Sequence, residues 1–278
     1  MGSYTILRVT NFGLKKSILK AFNNQNKIKM KTFKKNLVYL LLPALLTGMS
    51  VVFFSCSKDD TKTTTPAYVC ASCHDTPDAL AVYDANVRGI YKGIVVGSTG
   101  SISIDIQNGS STITATMVLD GTSIALTSMV GTVDGQSYVA PFTGTYNGSP
   151  ISITFSVGLG GTAPTVVTSD IPGHPNAAFQ IYKETSTSLI EAFQGTYSKP
   201  GQSGVFNVIL SRALAKWGGV AKENGGTENN EVSGTINASN QLIEENGTNM
   251  ATISGDVLTG SFSDGNGATV TIQGTRTL

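Results

Sequence analysis

The chain has 278 residues, with 19 Lys+Arg against 18 Asp+Glu. This near-balance hides an asymmetry, because nine of the basic residues and none of the acidic ones precede Cys56. From Cys56 onward ten basic residues face 18 acidic ones, a net charge of −8, which excludes a general electrostatic attraction to nucleic acid.

In chain order, the first feature is a basic flank, Lys27, Lys29, Lys31, Lys34 and Lys35. It is followed by Leu37–Phe54, an uncharged, mostly apolar run containing Pro43 and Gly48. The run approaches the length of a membrane span, so a transmembrane anchor is one reading. An export signal fits better, because the flank is basic, the run stops at Ser55-Cys56, and only Lys58 follows closely as a basic residue. Residues 1–29 fit neither a folded domain nor an ordinary signal flank, and Met30 stands where a natural start is expected. Residues 1–55 are thus read as the export segment. Residues 56–67 are read as an extended polar tether, with no apolar face and with Pro66.

Residues 68–87 carry the most specific chemical string, Cys70-Ala71-Ser72-Cys73-His74. C-x-x-C-H is the attachment pattern of c-type haem. Three readings stay open at this point: a Cys70–Cys73 disulfide, a covalent haem with His74 as ligand, and a metal site. Little apolar sequence flanks the string, and the other histidine, His174, lies far along the chain. Zinc would require Cys70, Cys73, His74 and His174 together, every candidate after Cys56. Thr76–Tyr83 predicts a short helix, with Thr76 as cap, Pro77 in the first turn and Asp78 at the positive end of the dipole. Leu80 and Tyr83 share a face on such a helix.

From Ile90 the hydrophobic period becomes two. Ile102, Ile104 and Ile106 alternate with polar residues, as do Ile113, Ala115, Met117 and Leu119, and Ile151, Ile153 and Phe155. Each predicts a half-buried antiparallel strand. Asn108-Gly109, Asp120-Gly121, Asp134-Gly135 and Asn147-Gly148 supply tight turns between them. The pattern repeats. Tyr91-Lys92-Gly93 answers to Phe193-Gln194-Gly195, and Phe142–Gly148 answers to Leu258–Gly265. The expected fold is all-β: a duplicated antiparallel meander forming small barrels or sandwiches. Repeat 1 spans 88–157, a proline- and glycine-rich linker spans 158–190, and repeat 2 spans 191–278.

Ser55-Cys56 resembles the lipobox of bacterial lipoproteins, although Phe53 and Phe54 replace its usual Leu and small residue. Cys56-Ser57-Lys58-Asp59-Asp60 is similar to the surface-export signal of Bacteroidetes lipoproteins. The resemblance implies lipidation at Cys56, export directed by Lys58, Asp59 and Asp60, and an outer-membrane anchor displayed at the cell surface. The Thr-Gly-aromatic strand ends resemble those of small barrels of the avidin and lipocalin types. Arg88-Gly89-Ile90-Tyr91 is similar to the lipocalin Gly-x-Trp opening with Tyr91 for Trp, and Gly274-Thr275-Arg276 to their late-strand arginine. No binding residue follows from that likeness.

No nucleophile elbow, phosphate-binding loop or zinc-protease motif occurs in the sequence. Asp105, Asp120, Asp134, Asp256 and Asp264 are carboxylates available for glycan hydrolysis, but most occupy turn positions. Trp217 is the single tryptophan and a candidate ligand contact, or else a packed loop anchor. The sequence thus predicts a membrane-anchored lipoprotein that binds a glycan or protein partner, or has a structural role, without being an enzyme. The alternatives are a tethered mono-haem electron carrier and a weak glycan hydrolase.

Overall fold

The computed structural model describes residues 68–96 and 100–278. Cys56, Lys58, Asp59, Asp60 and the apolar run before them lie outside the described residues. Within those residues the chain forms two successive eight-stranded antiparallel sheets, the expected duplicated all-β architecture.

The first sheet contains β1 (Gly89–Val96), β2 (Gly100–Ile106), β3 (Ile113–Leu119), β4 (Thr122–Thr127), β5 (Tyr138–Tyr146), β6 (Ser149–Val157), β7 (Thr165–Asp170) and β8 (Ala178–Lys183). Its order is β7-β6-β5-β4-β3-β2-β1-β8, a curled meander whose edges are β7 and β8. Two-residue turns at Asp120-Gly121 and Asn147-Gly148 join β3 to β4 and β5 to β6 with positive φ at both positions, as hairpins of this length require. The alternating residues point inward as expected, and Ile102, Ile104, Ile106, Met117, Leu119, Ile153 and Phe155 are fully buried. Tyr91, Phe142 and Phe155 interlock edge to face, with ring centroids 5.2 Å (Tyr91–Phe155) and 6.3 Å (Phe142–Phe155) apart. The Tyr91 hydroxyl donates to the Val87 carbonyl at 2.7 Å. Large side chains thus fill this barrel.

The second sheet contains β9 (Glu191–Lys199), β10 (Gln202–Ser211), β11 (Lys216–Glu223), β12 (Asn229–Ile236), β13 (Gln241–Glu244), β14 (Asn249–Ser254), β15 (Val257–Ser263) and β16 (Thr269–Arg276). β16 returns to pair with β9 and closes the barrel. Closure brings Gly195 opposite Gly274. A Cβ on Gly195 would lie 2.0 Å from the Gln273 carbonyl oxygen, so the strands approach this closely only with glycine there. The Phe206 ring covers the opposite partner, within 2.8 Å of where a Gly274 Cβ would be.

The barrels pack side by side. Ile94 of β1, Ile190, Ala192 of β9, Ile209 of β10 and Val220 of β11 form a separate apolar cluster with Leu278 against it. Asn207 of β10 donates to the Val95 carbonyl of β1 at 3.5 Å.

Three expectations need correction. The segment 158–190 is not a plain linker, because it supplies β7 and β8, both hydrogen-bonded into the first sheet. The helix expected over Thr76–Tyr83 is a single 3₁₀ turn, Ala81–Tyr83, without a side-chain cap. Its upstream amides find other acceptors: Asp78 N–H donates to Glu184 and Leu80 N–H to Asn108. Leu80 is exposed, and Ala79 takes the buried position. Finally, only the first pair of matched strings is equivalent by position. Tyr91 and Phe193 lie in the opening strands β1 and β9, whereas Phe142–Gly148 joins β5 to β6 and Leu258–Gly265 lies in β15 and its turn.

Candidate functional site

The two barrels differ in what fills them. In the second, inward positions alternate along each strand as in the first, but more of them are glycine: Gly195, Gly204, Gly219, Gly234, Gly260 and Gly274, against Gly93, Gly100 and Gly144 in the first. Large apolar side chains, among them Phe193, Leu210, Ile236, Ile253 and Leu258, pack the half nearest the start of β9. The other half opens as a cup of about 470 Å³, within the range of small-molecule sites.

Trp217, Phe206, Val208 and Leu242 line the inner part of the cup. Trp217 is 5% exposed, and its indole N–H donates to the Ile243 carbonyl at 3.2 Å. It is therefore a packed residue of β11 and not a loop anchor, with one face on the cavity. Val232, Met250, Ile272 and Phe262 are less buried and form the walls. Tyr197 stands at the mouth over Gly204, where a Cβ would lie 2.5 Å from its ring. Burial and the Glu223 carboxylate push the Tyr197 phenol up, so it remains a neutral donor.

The rim is polar: Lys199, Gln202, Asn230, Glu244, Asn246 and Asp264. Lys199 pairs with Asp264 at 3.0 Å across the barrel-closing strands. The Lys199 hydrogen bond and the Ala268 and Asn266 amides hold the Asp264 carboxyl below its usual range. Asp264 thus fixes its own turn. The other hydrolytic candidates are also engaged: Asp105 accepts from Asn108 N–H, Asp120 pairs with His174 at 3.3 Å, Asp134 with Arg88 at 3.3 Å, and Asp256 accepts from Cys70 N–H at 2.8 Å. Among the described residues, no group of three or more His, Cys, Asp and Glu is placed to hold a metal ion.

The C-x-x-C-H string lies at the opposite end of the second barrel from the cup. Cys70 and Cys73 are bonded to each other. The surrounding side chains are charged. Arg276 pairs with Asp75 at 3.1 Å and Asp256 at 3.4 Å, and donates to the His74 carbonyl. His74 Nδ1 meets Asp78. Asp78 in turn accepts from Lys92 Nζ at 2.9 Å, and Lys92 reaches Glu184 at 2.8 Å. The segment therefore works as a clasp: Tyr68, Cys70 and Asp75 hold the second barrel, Asp78 and Leu80 hold the first, and Asp84 holds Ser186 in the connector between them. His174, the remaining candidate zinc ligand, lies against Tyr146 in the first barrel, on the loop before β8.

The sequence singled out Trp217, which lines the cup, and Cys70 and Cys73, which are bonded, but did not reveal the cup itself. The signal available was the recurrence of glycine at inward positions between Phe193, Tyr197, Phe206 and Phe262. No protein-family model matches the chain, and neither does any curated protein or solved structure.

Proposed function

We propose that the chain is a lipid-anchored outer-membrane lipoprotein, displayed at the cell surface, whose second barrel binds a small amphipathic molecule without turning it over. The observation that carries the binding reading is the cup itself, an apolar well inside a closed barrel with a polar, nearly charge-balanced rim. Such a site takes an apolar body inward and leaves a polar group among Lys199, Tyr197, Glu244 and the rim amides. The anchor reading rests on the string ending at Cys56-Ser57-Lys58-Asp59-Asp60.

For the C-x-x-C-H string the reading is a structural disulfide. A haem needs two free thiols and apolar walls, whereas Asp75, Asp78, Asp256 and Arg276 surround this position. The residues present do not fit the group.

Native mass spectrometry of the protein recovered from its own membrane tests the binding reading. The expected result is a bound small-molecule mass that disappears in the variant carrying Ala221→Phe and Val232→Phe, two inward positions on the cup wall. A bound mass that survives in the folded variant overturns the assignment to the cup. Intact mass at Cys56 reports the lipid separately.

A further inference from the structure

Among the described residues, six of the twelve strongly exposed large apolar side chains lie on one end of the first barrel. Strand direction defines the two ends. β1, β3, β5 and β7 start at one end, and β2, β4, β6 and β8 finish there. That end gathers Asp84–Arg88, the β2–β3 turn, the 128–137 loop and the 3₁₀ turn Leu159–Gly161. Leu80, Val82, Met129, Val130, Val133 and Leu159 all sit on it, with exposures from 42% for Val130 to 97% for Met129. Among the described residues, the turns of the other end carry no strongly exposed large apolar side chain.

These segments are joined to one another. Asn108 holds Leu80 N–H, Arg88 donates to Thr132, and Lys183 donates to the Asn86 and Arg88 carbonyls. The charges here are paired locally, Arg88 with Asp134 for example, which lowers the cost of bringing this end to a less polar environment. The chain also arrives here. Tyr68 bonds to Arg276 at the adjoining end of the second barrel, and Cys56 lies twelve residues earlier, at most about 45 Å of chain away. The cup opens at the opposite end, where β9 finishes and β10 begins.

We propose that the anchor-side end of the first barrel is a bilayer-contacting surface, in which Met129, Val130, Val133, Leu80, Val82 and Leu159 enter the headgroup region and point the cup away from the membrane. This rests on the reading of the N-terminal segment as a membrane anchor. The occupant is a lipid surface, because the chain leaves the folded part at Tyr68 on this side of the molecule and reaches Cys56 within about 45 Å. Exposed apolar patches mark interaction surfaces, and apolar faces that lie on a bilayer enter its headgroup region.

The test uses the full chain, extracted from its membrane and reconstituted in phosphatidylethanolamine–phosphatidylglycerol vesicles. Met129→Cys at this end and Asn147→Cys at the other each receive a nitrobenzoxadiazole label; both positions are exposed. Vesicle flotation is measured in parallel. The expected result is blue-shifted emission quenched by lipid-borne nitroxides at position 129, and aqueous emission at 147. A protein that floats while both labels stay aqueous overturns this proposal alone. A protein that does not float overturns the anchor reading and this proposal together. A shift at 129 that lipid nitroxides fail to quench assigns the face to a second copy of the chain and also overturns it.

Discussion

Glu184 has no exposed surface, and its carboxylate oxygens are met by one ammonium and two backbone amides. It accepts from Lys92 Nζ at 2.8 Å, Asp78 N–H at 2.7 Å and Ile190 N–H at 3.0 Å. Removing one partner of such a buried pair strands the other charge, so Glu184→Ala is expected to destabilise the fold by about 3–5 kcal/mol in urea unfolding. Asp78 is the outer partner. Burial raises its carboxyl, but the hydrogen bonds from Lys92 and His74 outweigh this and hold it below its usual range. Its contribution is present above its unfolded value and is lost as pH falls through the lower folded one. Lys183 runs the other way. Burial depresses its ammonium to about 8, against a partial opposing pull from Asp84. The unfolded chain binds the extra proton between about pH 8 and the ordinary lysine value of 10.5, so this residue's contribution to stability rises with pH across that window. Denaturation midpoints at pH 7.5 and 9.5 should show that rise in the wild type and its loss in Lys183→Met; an unchanged pH dependence in the variant would assign it elsewhere. None of these residues announces itself in sequence, because Lys92 and Glu184 meet across 92 positions.

At the scale of elements, what was legible follows from periodicity. β2, β3 and β6 alternate cleanly because one face is core and the other is wet, and their turns carry Asn-Gly or Asp-Gly. β7 and β8 escaped because they are edges. Thr165–Asp170 has no fully buried residue and Ala178–Lys183 has only Ile181, so neither shows a period, and Pro172 and Pro175 between them suggest loop. The predicted helix failed because Asn108 and Glu184, distant in sequence, offered better acceptors than a helical turn. The cup was hidden because it depends on which inward positions lack a side chain. Gly195 is the position to test. Gly195→Ala puts a Cβ against the Gln273 backbone and is expected to cost about 1–3 kcal/mol by forcing β9 from β16. Gly131→Ala, where nothing lies within 4 Å, should stay within about 0.5 kcal/mol, with urea unfolding of both variants as the measurement. The disulfide closes only a short loop, so Cys70→Ser with Cys73→Ser should leave the near-ultraviolet circular dichroism of the barrels intact. Loss of that signal would make the pair essential to the fold.

Over the whole molecule, the clasp, the apolar cluster around Ile94 and Ile209 and the Asn207–Val95 hydrogen bond couple the barrels. One thermal transition is expected in calorimetry, and two resolved transitions would show that these contacts do not couple them. The arrangement gives each end a task in the proposed reading, with the anchor and apolar loops on one side and the cup on the other. In that reading the filled first barrel is the platform and the second the receptor. Trp217 is the single tryptophan and borders the cup, so its emission reports occupancy directly. The decisive measurement is a titration of the full chain in detergent with anilinonaphthalene sulfonate, following energy transfer from Trp217. Saturable transfer at one probe per chain, abolished by Ala221→Phe with Val232→Phe while the melting curve is kept, is the predicted result. Equal transfer in that folded variant, or none in the wild type, would contradict the assignment of the cup as a ligand site.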